Sequence, residues 1–124
     1  MKKKLISLAL IGAIISSITS LTAYAFDYSK NYDTTSMTWV AAIGNNASYT
    51  RTLGCNTNPS SGQSGAYVEI RKSNGTVTAS KTFPFYSSTT DLTDSVPSGE
   101  IRNFYVGSAG SSRVTGILYF GFYP

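Results

Sequence analysis

Histidine is missing from all 124 residues, and cysteine occurs once, as Cys55. The first absence excludes a Ser-His-Asp or Cys-His machine and a histidine-ligated zinc site, because histidine is the side chain that ordinarily titrates near neutral pH. The second excludes an intramolecular disulfide and a thiolate cage built from one chain. Acidic residues are also scarce, with six Asp plus Glu in the whole chain. No apolar run reaches the roughly 20 residues that a spanning helix needs. No glycine-rich phosphate loop joins a strand to a helix. What is left is a chain with few catalytic options and no expected cofactor.

The N-terminus carries the clearest signal that is present. Lys2-Lys3-Lys4 form a cationic head, and Leu5 to Ile15 is apolar apart from Ser7 and Gly12. A more polar stretch then ends in Ala23-Tyr24-Ala25, the small-x-small pattern that signal peptidase cuts. Residues 1–25 are therefore read as a signal peptide cleaved after Ala25, and 26–124 as a single β-sandwich domain of a secreted protein. Leu53-Gly54-Cys55 mimics the end of a lipobox, but Thr52 stands where leucine is wanted and no apolar segment precedes it. No stable membrane anchor is expected.

Cleavage changes the charge balance. Three of the ten Lys and Arg lie in the leader, leaving seven against six acidic residues and a net charge of +1. The basic pI of the precursor is thus no argument for nucleic acid or an anionic membrane as partner. The 99 residues left after removal of 25 are enough for one modest core. Cys55 reads as a small apolar side chain, with an intermolecular disulfide or a reactive thiol as the functional alternative.

The mature chain is rich in strand formers punctuated by Gly, Asn and Ser. Phe26 to Thr35 reads as an irregular lead-in or a short edge strand. Ser36 to Ile43 alternates, with Met37, Trp39, Ala41 and Ile43 on one face. Ser48 to Leu53 is a second strand, and the polar stretch Asn56 to Gly65 is a ten-residue loop. Ala66, Val68 and Ile70 alternate with Tyr67, Glu69 and Arg71, and a second strand runs to Phe83. Asn74-Gly75 between them predicts a type I′ hairpin. Thr89 to Val96 is polar apart from Leu92 and Val96. Ile101 to Val106 and Val114 to Phe122 predict a final hairpin, whose last strand is apolar on both faces and so central with both faces covered. About six to eight short strands imply a small antiparallel β-sandwich or a partly open barrel, with Trp39, Phe83, Phe104 and Phe120 in its core.

Paired carboxylates are the remaining catalytic option. A glycosidase needs two of them roughly 5–10 Å apart, and Asp91 with Asp94, Glu69 and Glu100 are the candidates. Their settings are those of solvated or turn-forming carboxylates, so an enzyme is not expected. Aromatic residues point elsewhere: eight Tyr, six Phe and one Trp fall in the mature chain. Alternation puts Tyr67 on the polar face beside Glu69 and Arg71, where an aromatic plate with a hydrogen-bonding tip suits a sugar or a protein. Tyr86 and Tyr105 join the candidate binding set Tyr67, Glu69, Arg71, Tyr86 and Tyr105, with Tyr28 and Tyr32 as further tyrosines of the same kind.

The leader, the short β domain and the aromatic end Leu118-Tyr119-Phe120-Gly121-Phe122-Tyr123 resemble the layout of small exported bacteriocins of the lactococcin 972 type. That resemblance implies an antimicrobial or membrane-active role. The Gly- and His-containing motifs of that family are missing here, so the likeness is one of layout. The residues themselves favour a secreted, non-catalytic protein of a Gram-positive-type bacterium. It would act by surface contact with a cell-wall glycan, a protein partner or a second copy of itself as a homodimer.

Overall fold

Apolar alternation resolves into eight antiparallel strands among the described residues. In the computed structural model, which describes residues 26–61, 64–85 and 90–124, these are β1 (Tyr28–Thr34), β2 (Thr38–Gly44), β3 (Arg51–Thr57), β4 (Ala66–Arg71), β5 (Val77–Phe83), β6 (Leu92–Val96), β7 (Ile101–Ser108) and β8 (Val114–Phe122). The proposed leader and Tyr86 lie outside the described residues. The strands form two four-stranded sheets, ordered β1-β8-β3-β6 and β2-β7-β4-β5. The fold is a small all-β sandwich, as the alternation predicts.

The inward faces meet in one core. Leu53 and Cys55 of β3, Leu92 and Val96 of β6, and Leu118 and Phe120 of β8 pack against Val68 and Ile70 of β4, Phe83 of β5, and Phe104 and Val106 of β7. Phe104 and Phe120 come from opposite sheets, with ring centroids 4.9 Å apart. Tyr32 of β1 is also buried. Its phenol bonds Thr57 Oγ1 at 2.7 Å, and Thr57 passes its own proton to the carbonyl of Ile117 at 2.8 Å. The ring crosses its cross-strand partner Gly116, where a Cβ would lie 2.5 Å from the phenol oxygen. Burial pushes the Tyr32 phenol above its ordinary pKa, and the Thr57 hydrogen bond offsets only part of that shift.

Four expectations are corrected. β7 and β8 are not a hairpin, because they lie in different sheets and face each other across the core. Two consecutive strands with one strong apolar face each are compatible with either arrangement, and alternation does not distinguish them. β8 is central, between β1 and β3, but its outer face is open: Ile117 is 38% and Tyr119 43% exposed. Trp39 is not core. The register slips between Trp39 and Ala41, so the bulge at Val40 throws Trp39 outward, 52% exposed, while Ala41 stays buried. The β4–β5 hairpin exists, but Gly75 N–H donates to the Lys72 carbonyl at 2.9 Å, which puts Ser73-Asn74 at the turn centre. Gly75 follows with φ +91°, the three-residue loop form rather than type I′.

Boundaries shift elsewhere. β3 runs through Asn56 and Thr57, which the sequence assigns to a loop, because Thr57 is buried in the Tyr32 pair. Tyr49 lies before β3 and is exposed. The lead-in is a seven-residue edge strand paired along its whole length with β8.

A polar cluster joins the sheets beside β5 and β6. Arg102 of β7 is 3% exposed and donates from Nε to Asp94 of β6 at 2.9 Å and from Nη1 to Glu100 at 2.7 Å. Thr78 of β5 donates to the same Asp94 oxygen at 2.7 Å. Burial alone would lower the pKa of Arg102, but the two carboxylates outweigh it and raise it. Asn45, also buried, donates to the carbonyls of Tyr49 and Val96 at 2.9 and 2.8 Å. These bonds pin the β2–β3 loop to β6.

Two predictions follow from these ties. Arg102→Met leaves Asp94 without its cation and should cost about 3 kcal/mol in urea unfolding; a loss below about 1 kcal/mol, the range of an exposed pair, would contradict the structural role of the pair. Asp33 of β1 and Arg113 form an exposed fork–fork pair at 2.5 and 2.6 Å. The hydrogen bonds from Arg113 hold the Asp33 carboxyl below the ordinary carboxylate pKa. Its small contribution is therefore present above that ordinary value and lost as pH falls through the lowered one. NMR titration should place the Asp33 midpoint below ordinary aspartate, and Arg113→Ala should return it there.

Candidate binding face

The β2-β7-β4-β5 sheet buries one side and turns the other to solvent. Pairing aligns the outward residues in rows. Trp39 of β2 stands beside Tyr105 of β7, which stands beside Glu69 of β4 and then Ser80 of β5. In the next row Ala42, Asn103 and Arg71 are neighbours. Tyr67 lies one step along β4 from Glu69, opposite Gly107 and Thr82. Alternation in β4 is strict: Ala66, Val68 and Ile70 are buried while Tyr67, Glu69 and Arg71 are half-buried.

The polar and aromatic groups of this face are tied to one another. Arg71 donates from Nε and Nη2 to Glu69 Oε1 at 2.8 and 2.6 Å. Its guanidinium carbon lies 3.9 Å from the centroid of the Tyr105 ring, a cation–π contact. Trp39 Nε1 donates to Asn103 Oδ1 at 3.0 Å. Each long side chain is thus held by a neighbour before any ligand arrives, which lowers the entropy lost on binding. The face offers three aromatic side chains (Trp39, Tyr67 and Tyr105), an amide, a carboxylate and a guanidinium, with the two charges cancelling.

Of the residues singled out in the sequence, Tyr67, Glu69, Arg71 and Tyr105 share this face. Tyr86 lies outside the described residues. Tyr32 is in the core and Tyr28 lies on the other sheet. Sequence reasoning missed Trp39 and Asn103. The alternation of Asn103 and Tyr105 against Phe104 and Val106 could have found Asn103, whereas nothing local to Trp39 marks the bulge that exposes it.

The other acidic residues are engaged elsewhere. Asp94 and Glu100 converge on the Arg102 guanidinium, and Asp91 accepts from Asn56 Nδ2 at 2.9 Å and from the Tyr123 hydroxyl. Cys55 is fully buried, and its thiol pKa is pushed far up, first by burial and then by the negative charge of Asp91. A thiol in that setting is neutral and inaccessible, which opposes the reactive-thiol and intermolecular-disulfide readings. Among the described residues, no three His, Cys, Asp or Glu side chains gather as a metal site.

Comparison with known proteins finds no match in any family, among curated proteins or among solved structures. The bacteriocin-like layout therefore has no family match behind it, and the functional argument rests on the face itself.

Trp39 is the only tryptophan, so fluorescence reads this face directly. Iodide should quench the native emission substantially. A native protein that resists quenching until urea unfolds it would place Trp39 in the core and remove it from the face.

Proposed function

We propose that the mature chain is a secreted, non-catalytic glycan-binding module that works at the cell wall through the outer face of the β2-β7-β4-β5 sheet. The observation that carries this reading is the set Trp39, Asn103, Tyr105, Glu69 and Arg71 on one outer, pre-tied sheet face, with Trp39 exposed and the others half-buried. Sugars present apolar C–H faces edged by hydroxyls. Aromatic plates take up the former, and planar side chains with paired donors and acceptors take up the latter. A protein hot spot would use the same aromatics inside a desolvated pocket; here Trp39 is exposed and its neighbours are half-buried on the outer face of a sheet.

Export supports the same reading. Lys2-Lys3-Lys4, the apolar run and Ala23-Tyr24-Ala25 would deliver residues 26–124 to the outside of the cell. With a net charge of +1 after cleavage, long-range attraction does little there, and short-range contacts on a face of this kind would have to provide affinity.

Purified mature protein should be retained on insoluble cell-wall glycan. Trp39→Ala and Tyr105→Ala should each weaken retention about fivefold, equivalent to about 1 kcal/mol for one lost aromatic contact. Ile117→Ala, on the outer face of the other sheet, should bind as wild type. Folded protein that no glycan retains, or Ile117→Ala weakening binding as much as Trp39→Ala, would overturn the assignment.

A further inference from the structure

β1 and β2 are the free edges of their sheets and lie beside each other on one side of the sandwich. Thr34 and Thr38 tie the seam between them at its turn end, hydroxyl to hydroxyl at 2.7 Å, but the seam stays open farther along. It holds a groove of about 550 Å³ whose walls include Tyr28 and Lys30 from β1, Trp39, Ala42 and Ile43 from β2, and Phe120 beneath. That volume lies within the range of small-ligand sites. Two small residues, Ala41 and Ala42, stand in β2 where larger ones would fill the space.

The groove has a distinct chemistry. Tyr28 stacks on Phe120 with centroids 5.7 Å apart and planes at 26°, yet is 55% exposed, so its other face looks into open space. Trp39, also half exposed, lines the groove and belongs to the binding face, which makes the two surfaces continuous. Lys30 is the one charged residue among the described residues that line the groove, and it forms no ion pair with any of them. β1 alternation puts Lys30 on the same side as Tyr28 and Tyr32, toward the seam. Such an inward lysine also keeps an edge strand from pairing with another chain. Its surroundings go further than that role requires, since it stands beside two aromatic rings and a space of ligand size.

We propose that this groove is a subsite for a uronic acid unit of the bound glycan, with the sugar ring against Tyr28 and Trp39 and the carboxylate on the Lys30 ammonium. The proposal rests on the glycan reading of the adjoining face. A single lysine is a compact point charge with one partner's worth of neutralisation, which matches a monoanionic carboxylate fixed to a sugar ring. A phosphodiester is monoanionic too, but a glycerol phosphate chain has no ring to lay against Tyr28 and Trp39.

Calorimetry of the mature protein with oligogalacturonate and with its carboxyl-reduced counterpart tests this. Oligogalacturonate should bind about tenfold tighter, and Lys30→Gln should bring its affinity down to that of the reduced oligosaccharide. Lys30 is exposed, so Lys30→Gln should fold with an unchanged melting temperature. Equal binding of the two oligosaccharides, or a preference that survives Lys30→Gln, would overturn the subsite while leaving the glycan face standing. Polyglycerol phosphate binding as tightly as oligogalacturonate would show that charge alone is read, and would also overturn it. Binding of neither oligosaccharide, with cell-wall glycan still retained, would reject the subsite alone; loss of retention as well would reject both readings.

Discussion

Phe104 of β7 and Phe120 of β8 meet across the middle of the molecule with their rings tilted at 46° and 4.9 Å between centroids, and no disulfide supplements that contact. The sheets are held by burial of their inward faces, each large apolar side chain contributing about 1.5–3 kcal/mol. Everything on the outside follows from which residues that burial claims. β7 turns Phe104 and Val106 inward, so Asn103 and Tyr105 must point out. β4 turns Val68 and Ile70 inward, so Glu69 and Arg71 must point out beside them. The candidate face is the complement of the core, printed through the sheet by the two-residue period.

The two seams of the sandwich differ in a way that has chemical consequences. Beside β5 and β6 the sheets are bridged by Asp94, Arg102 and Thr78, with Glu100 completing the guanidinium's partners. Beside β1 and β2 the one such tie among the described residues is the 2.7 Å hydroxyl pair of Thr34 and Thr38 next to the connecting turn, and farther along small side chains leave a groove. One flank is closed by polar bonds that satisfy each other; the other keeps aromatic and cationic groups available.

Much of this architecture is legible in the chain. Ala66 to Arg71 shows its buried and exposed faces letter by letter, and the hairpin that follows forms where Asn74-Gly75 marks it. Tyr67, Glu69 and Arg71 of the candidate site come from that same alternation, and Tyr105 joins them as a further tyrosine. What is not legible is non-local. The crossing of the chain from β7 in one sheet to β8 in the other depends on which surface each apolar face meets, and sequence periodicity is identical for a hairpin and a crossing. The outward turn of Trp39 depends on one unpaired residue, Val40, whose bulge is set by the register of β2 on β7. The groove needs β1 and β2, distant from no pattern in the sequence yet assigned to different sheets, to come side by side.

Charge follows the same division between local and global. Arg71, Arg102 and Arg113 each answer a carboxylate in their own neighbourhood, and Arg51 lies over the ring of Phe122. Each arginine thus has a partner within the fold, with Arg71 held by Glu69 on the candidate face itself. The lysines are left to the surface: Lys81 bonds Thr90, and Lys30 stands in the groove with no carboxylate among the residues that line it. If residues 1–25 are removed as proposed, the net charge is +1, and the field felt at a distance is weak and screened within about 8 Å at physiological salt. Any discrimination between acidic and neutral ligands must then arise at contact, and the position of one lysine relative to two aromatic rings matters more than the charge of the whole molecule.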